Sequence, residues 1–151
     1  MKEERNYLDL LDALGHCEEG SEEEFEIYKE IVAICEDKIK IFRDDLEDDG
    51  TRGIMPIDLD QYAAPMDNLS IIYMKKGDYT KALHLLEQVL PMYRILEIYD
   101  TNYTYQRCNA LKAMAECLEK VGKENMATLC YYELKHLQLE VLEPRKRNNV
   151  G

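Results

Sequence analysis

The chain has 151 residues, 46% of them hydrophobic and 33% charged, with a net charge of −12 at neutral pH. That length suits one domain with one buried core, and the composition is too apolar for a disordered chain. The excess of acid repels phosphate backbones and anionic bilayers, so nucleic acid and membrane surfaces are excluded as expected partners.

The first expected helix lies in "RNYLDLLDALGHC", where Tyr7, Leu10, Leu11 and Leu14 recur at helical spacing. "EEGSEEE" breaks it, and Ser21 followed by Glu24 reads as a capping box for a second helix over about 22–47. Its apolar stripe is Phe25, Tyr28, Ile31, Val32, Cys35, Ile39 and Phe42. "DGTRGIMPIDL" is a loop. A third helix is expected from an N-cap at Asp58 to Lys76. Because Pro65 falls inside it, the helix either starts near Ala64 or bends there. The fourth runs from about Asp78 towards Ile98, with Pro91 giving a second bend or break. "YDTN" is a turn. The fifth covers about 102–121 and stops at Gly122, and the sixth covers about 124–142. Pro144 and the basic "RKRNNVG" are expected to end the folded part as a tail over 144–151. No segment alternates with period two, so no sheet is expected.

The acidity is local. Residues 18–49 carry 14 acidic and 4 basic side chains, against 17 and 15 elsewhere. The simpler reading is a solvated face; the alternative is a surface that selects basic partners. The five cysteines, odd in number and without CxxC spacing, read as buried thiols in a reducing compartment. "MKEERNYLDLL" lacks the apolar run of a signal peptide, and no stretch approaches the roughly 18 uncharged apolar residues of a membrane span. A cytoplasmic location is expected.

A shift of 45 residues superposes Gly77 on Gly122 and Ala82 on Ala127. Leu69 then meets Met114, Tyr73 meets Leu118, Leu86 meets Tyr131 and Val89 meets Leu134. Two helices that pack closely need a residue without bulk where they cross, and glycine leaves a helix in the left-handed conformation at little cost. The spacing is therefore a recipe for a helical hairpin, used twice. "NLSIIYMKKGDYTKALHLLEQVL" at 68–90, with Ser70, Tyr73, Gly77, Tyr79 and Ala82, resembles a tetratricopeptide repeat, in particular the longer form of kinesin light chains. The segment 108–142 keeps Gly122 and Ala127. In 6–47, Ala13 and Gly20 take the small and turn positions, but Phe25 stands where a small residue belongs, so the first hairpin is either a divergent repeat or a cap.

The resemblance implies an all-α, short right-handed solenoid of about three stacked antiparallel hairpins, at about 3–48, 58–98 and 102–142, in one domain over 1–143. It also implies a non-catalytic module that binds a protein or peptide on the surface lined by the first helix of each pair. Asp67, Asn68, Ile71, Met74 and Lys75 would line that groove from the middle hairpin, and Asn109, Lys112, Glu116 and Glu119 from the last. Tyr7, Leu10 and Leu14 would add to it from the first. Asn68 can grip a peptide backbone through its amide, or bond a neighbouring helix. Some members of the family clamp a C-terminal carboxylate with Lys, Arg and Asn. Here Asn68 matches, but Leu10, Leu14, Asn109 and Ala113 leave no cationic pair at the other positions, so that activity is not expected.

Other candidates give way to plainer readings. Tyr99, Tyr103 and Tyr105 suit a contact surface, but also a helix–helix corner. "DLEDDG" at 45–50 begins like a calcium loop and fails where Pro56 replaces the bidentate Glu. His16, His84 and His136 have no partners at metal-ligand spacing, and no nucleophile or nucleotide motif occurs. No enzyme activity, metal or cofactor is expected. Two alternatives stay open. One is a homodimer through the last helix, where Leu129, Tyr132, Leu137, Leu139, Val141 and Leu142 are apolar on more than one side. The other is a sensor with a small ligand between hairpins.

Overall fold

The computed structural model describes residues 6–49 and 56–149, and the side chains of 6–40 and 59–148. The described residues form α1 (Tyr7–His16), α2 (Glu22–Asp49), α3 (Pro56–Lys75), α4 (Tyr79–Tyr99), α5 (Tyr103–Lys120) and α6 (Glu124–Leu137). A π-helical segment, Gln138–Leu142, leads into α7 (Glu143–Asn149). No strand occurs among the described residues. Each helix from α1 to α5 packs on the next along the chain, and α3 also touches α5. The "DLEDDG" stretch lies outside the described side chains, and residues 50–55, in the expected loop, lie outside the described residues.

The sequence explains where the helices start. Asn6 Oδ1 accepts from the Asp9 N–H (2.9 Å) and caps α1. Ser21 Oγ accepts from the Glu24 N–H (3.1 Å), while Glu24 reaches back to the Gly20 N–H (3.2 Å), closing a variant of the capping box on α2. Asp78 accepts from the Lys81 N–H (3.2 Å) and caps α4.

The corners after α3 and α5 share one geometry. Gly77 and Gly122 have φ of +82° and +83°. The Asp78 N–H donates to Tyr73 O (2.9 Å) and the Gly77 N–H to Met74 O (3.0 Å); Lys123 to Leu118 (2.8 Å) and Gly122 to Glu119 (3.1 Å) repeat the pattern. Both are Schellman caps, which satisfy the last carbonyls of the helix and turn the chain back at once. The first corner differs. Helix α1 ends at His16, before Gly20, and a turn closed by the Ser21 N–H on Glu18 O (3.2 Å) makes the connection.

Ala82 and Ala127 are 0% and 1% exposed, and no strand lies between them. About two turns before each corner glycine, Ser70 and Ala115 are both 0% exposed, so a second small position also recurs. Ser70 satisfies its hydroxyl within its own helix, donating to Asp67 O (2.6 Å). Around these small residues Ile31, Met66, Leu86, Leu111 and Leu118 form one continuous core. At the offset of the two alanines, the first hairpin has Phe25. It is half-buried and meets the Tyr73 ring edge-on at 5.4 Å between centroids, with Lys29 and Lys76 over its face.

Three expectations are corrected. Helix α3 starts at Pro56, so Asp58 is inside it rather than at its cap, and Pro at a first position supplies a favourable φ. Helix α3 does not start near Ala64 and α4 does not break at Pro91, since both run on through Pro65 and Pro91. Each proline removes one amide donor, and the carbonyl left free by Pro65 belongs to the exposed Gln61. Finally, helix continues past Pro144 to Asn149 in place of a tail. The π-helical segment shifts the register, Pro144 sits in the first turn of α7 where its missing N–H is not needed, and Arg145 Nη1 donates to Thr101 O and Thr104 Oγ1, both at 3.0 Å.

Candidate functional site

Helices α3 and α5 leave a shallow groove of about 520 Å³ between their outward faces. Ile71, Met74 and Lys75 line it from α3, and Asn109, Lys112 and Glu116 from α5. Helical spacing explains the grouping: 71, 74 and 75 share one face, as do 109, 112 and 116. Glu119, Ala113, Lys120 and Tyr79 complete the walls. The floor is apolar and the rim alternates in charge, with Lys75, Lys112 and Lys120 against Glu116 and Glu119. Lys75 and Lys112 are exposed and make no ion pair among the described residues. Lys120 stands over the Tyr79 ring at 5.8 Å.

A second recess, of about 590 Å³, lies where the α1–α2 corner meets α3. Leu14, Tyr28 and Asn68 line it, and it shares Ile71 and Lys75 with the first, so the two run together across the face of α3. Asn68 Nδ2 donates to Tyr28 Oη at 3.4 Å, which ties the amide to α2.

Three expected groove residues lie elsewhere. Leu10 is 1% exposed and belongs to the core, because α1 turns that side chain onto α2. Asp67 shares the helix face of Ile71, but near that end of α3 the α4 side chain Tyr93 covers it. Tyr93 Oη donates to Asp67 Oδ2 at 2.7 Å, and its ring stacks on Tyr103 of α5 at 6.2 Å. Tyr7 is half-buried at the edge of the core. The tyrosine cluster is divided: Tyr99 and Tyr105 are exposed, while Tyr103 packs inward. Burial, then Asp60, pushes the Tyr103 hydroxyl up to about 12.

Burial also raises the Asp67 carboxyl, and the Tyr93 hydroxyl only partly offsets this. A carboxyl raised above its unfolded value opposes folding at neutral pH, and the penalty vanishes once both states are protonated. Asp67→Asn keeps an acceptor for Tyr93 and removes the charge. It is expected to raise the melting temperature at pH 7 by roughly 1–4 °C, and to have no effect at about pH 3. Scanning calorimetry at the two pH values checks the sign. A lower melting temperature at pH 7 would mean that the carboxylate stabilises the fold.

Sequence reasoning missed the main electrostatic feature. Arg107 of α5 bonds Glu97 of α4 (3.2 and 3.3 Å) and Glu133 of α6 (2.7 Å), and Arg94 joins at Glu133 (3.1 Å). The side chains of Arg107 and Glu97 are 18% and 19% exposed. Burial opposes the Glu133 charge, but Arg107 and Arg94 outweigh it and hold the carboxyl below its ordinary range. The network joins three helices, and no periodicity of one helix could indicate it.

All five thiols are held above their ordinary pKa. Burial dominates in each, and it takes Cys35 and Cys117 to about 11. A thiol kept protonated is a poor nucleophile and a poor metal ligand. No group of three His, Cys, Asp or Glu side chains among the described residues is placed to hold a metal ion. No helix among them is long and apolar enough to cross a membrane.

What the fold defines is an all-helical protein built from consecutive packed hairpins. Comparison with known proteins finds no match to this chain, whether among family models, curated proteins or solved structures.

Proposed function

We propose that this chain is a non-catalytic recognition module, a short tetratricopeptide-like solenoid that holds an extended segment of a partner protein in the groove between α3 and α5. The observation that carries the reading is the meeting of Ile71, Met74, Lys75, Asn109, Lys112 and Glu116 on one open face. The solenoid part rests on the two matching glycine corners and on Ala82, Ala127, Ser70 and Ala115, all buried. Apolar contact with Ile71 and Met74 supplies affinity, the Asn109 amide reads a peptide backbone, and the alternating rim selects a segment that carries both signs of charge. The acidic face of α2 adds long-range attraction for basic partners. The raised thiols support a role without covalent chemistry.

The test is selection of binding peptides from a random library on the full chain, followed by fluorescence anisotropy. Met74→Glu is expected to weaken the selected peptides by about tenfold or more, as loss of a central apolar anchor does, while the melting temperature moves by no more than about 3 °C. Equal binding to the variant overturns the groove. A collapse in stability would mean that Met74 is core.

A further inference from the structure

We propose that two copies of this chain pair through the outward face of α6, antiparallel and about a two-fold axis. On α6 the side chains Asn125, Leu129, Tyr132 and His136 follow the 4-3-4 spacing of a coiled-coil seam, and Leu139 follows in the π-helical segment. This stripe lies opposite the buried face that holds Ala127 and Leu137. All of its members are exposed, with Leu129 at 67%, Tyr132 at 68% and Leu139 at 54%. Leu142 is buried and Val141 half-buried, so the open apolar surface is this stripe and not the whole helix end.

The occupant is set by complementarity of the stripe to itself. With the axis between Leu129 and Tyr132, Leu129 of each copy meets Tyr132 of the other, and Asn125 meets His136, an amide opposite an imidazole. Glu124 and Lys135 lie three turns apart on one flank of the stripe, exposed and in no ion pair among the described residues. Antiparallel pairing keeps this flank against itself and brings each Glu124 near the Lys135 of the other copy, twice by symmetry, whereas parallel pairing would turn the flank towards the Glu133 side of the partner and leave the pair unmade. The other flank is occupied, because Glu133 is held by Arg94 and Arg107. The exposed Leu8 on α1, at the far end of the hairpin series, offers a head-to-tail alternative, but that contact does not close and would build longer assemblies.

Sedimentation equilibrium of the full chain over a dilution series tests the pairing. The mass is expected to rise from the 17.7 kDa of one chain to that of two and to stop there. Leu129→Glu is expected to weaken the dimer at least about 30-fold, since it puts unpaired charge at the centre of the seam, with a circular dichroism melt unchanged at dilutions where both chains are monomeric. Glu124→Lys alone is expected to weaken it about five- to tenfold, and Glu124→Lys with Lys135→Glu to restore it to within about twofold, as a direct charge pair requires. A monomer at all concentrations, a mass that climbs past two chains, a dimer indifferent to Leu129→Glu, or a double reversal no better than the single one would each overturn the proposal.

Discussion

Arg107→Met is expected to lower the melting temperature by roughly 5–15 °C. The arginine holds two carboxylates, Glu97 at 3.2 Å and Glu133 at 2.7 Å, in a setting where its side chain is 18% exposed. Without it, Glu97 is left without that cation and Glu133 keeps only Arg94, which is more exposed. Breaking a fully buried pair in this one-sided way costs about 3–5 kcal/mol; the partial exposure here brings the figure to about 2–4 kcal/mol. At this chain length each kcal/mol moves the melting temperature by roughly 2–4 °C. The pH dependence carries a definite sign. Glu133 has a depressed carboxyl, so its contribution is present above the unfolded value near about 4.3 and is lost as pH falls through the folded value. The gap between wild type and variant should therefore narrow below about pH 4. Replacing Glu97, Arg107 and Glu133 together by leucine, methionine and leucine is expected to recover most of the loss, because no buried charge then lacks a partner. Thermal melts of the variants at pH 7 and at acid pH decide it. A loss below about 2 °C for Arg107→Met would mean that water already screens the network.

Ala82→Leu and Ala127→Leu make the second large effect. Both methyl groups are sealed, at 0% and 1% exposure, one turn inside a helix that turns back through a glycine corner. Added methylenes have no space and must push neighbouring helices apart, which costs about 1–3 kcal/mol at each site. The two sites lie in different hairpins, so their effects should add to within about 0.5 kcal/mol. Ala33→Leu, on the exposed face of α2, is the control and should stay within about 0.5 kcal/mol of wild type. Urea unfolding reads the difference as a fall in midpoint at unchanged slope. If the two buried sites accept leucine as freely as Ala33 does, they are not the places where the helices meet closely.

These residues show what the sequence made legible. Glycine corners, caps and small buried positions are local or recur at a fixed offset, so Gly77, Gly122, Ser21, Asp78, Ala82 and Ala127 could be placed without any structure. That 71, 74 and 75 share one face follows from helical spacing, whereas the choice of that face as a groove comes from the resemblance to tetratricopeptide repeats. What failed depends on neighbours in space. Asp67 lies on the right face and still faces Tyr93, a residue on another helix. Leu10 is buried because α1 turns it onto α2, and Ile27, 0% exposed, falls outside the apolar stripe that starts at Phe25. Arg107 reads from sequence as one more surface cation. The continuation through Pro144 depends on a π-helical segment, which no residue pattern in "QLEVL" announces.

The most direct test of the recognition role is to map where a selected peptide touches the full chain, by amide chemical-shift changes in a titration. The account predicts that the changes cluster at Ile71, Met74, Asn109, Lys112 and Glu116. Changes concentrated instead on the recess between α2 and α4, around Tyr73, His84 and Leu85, would contradict it.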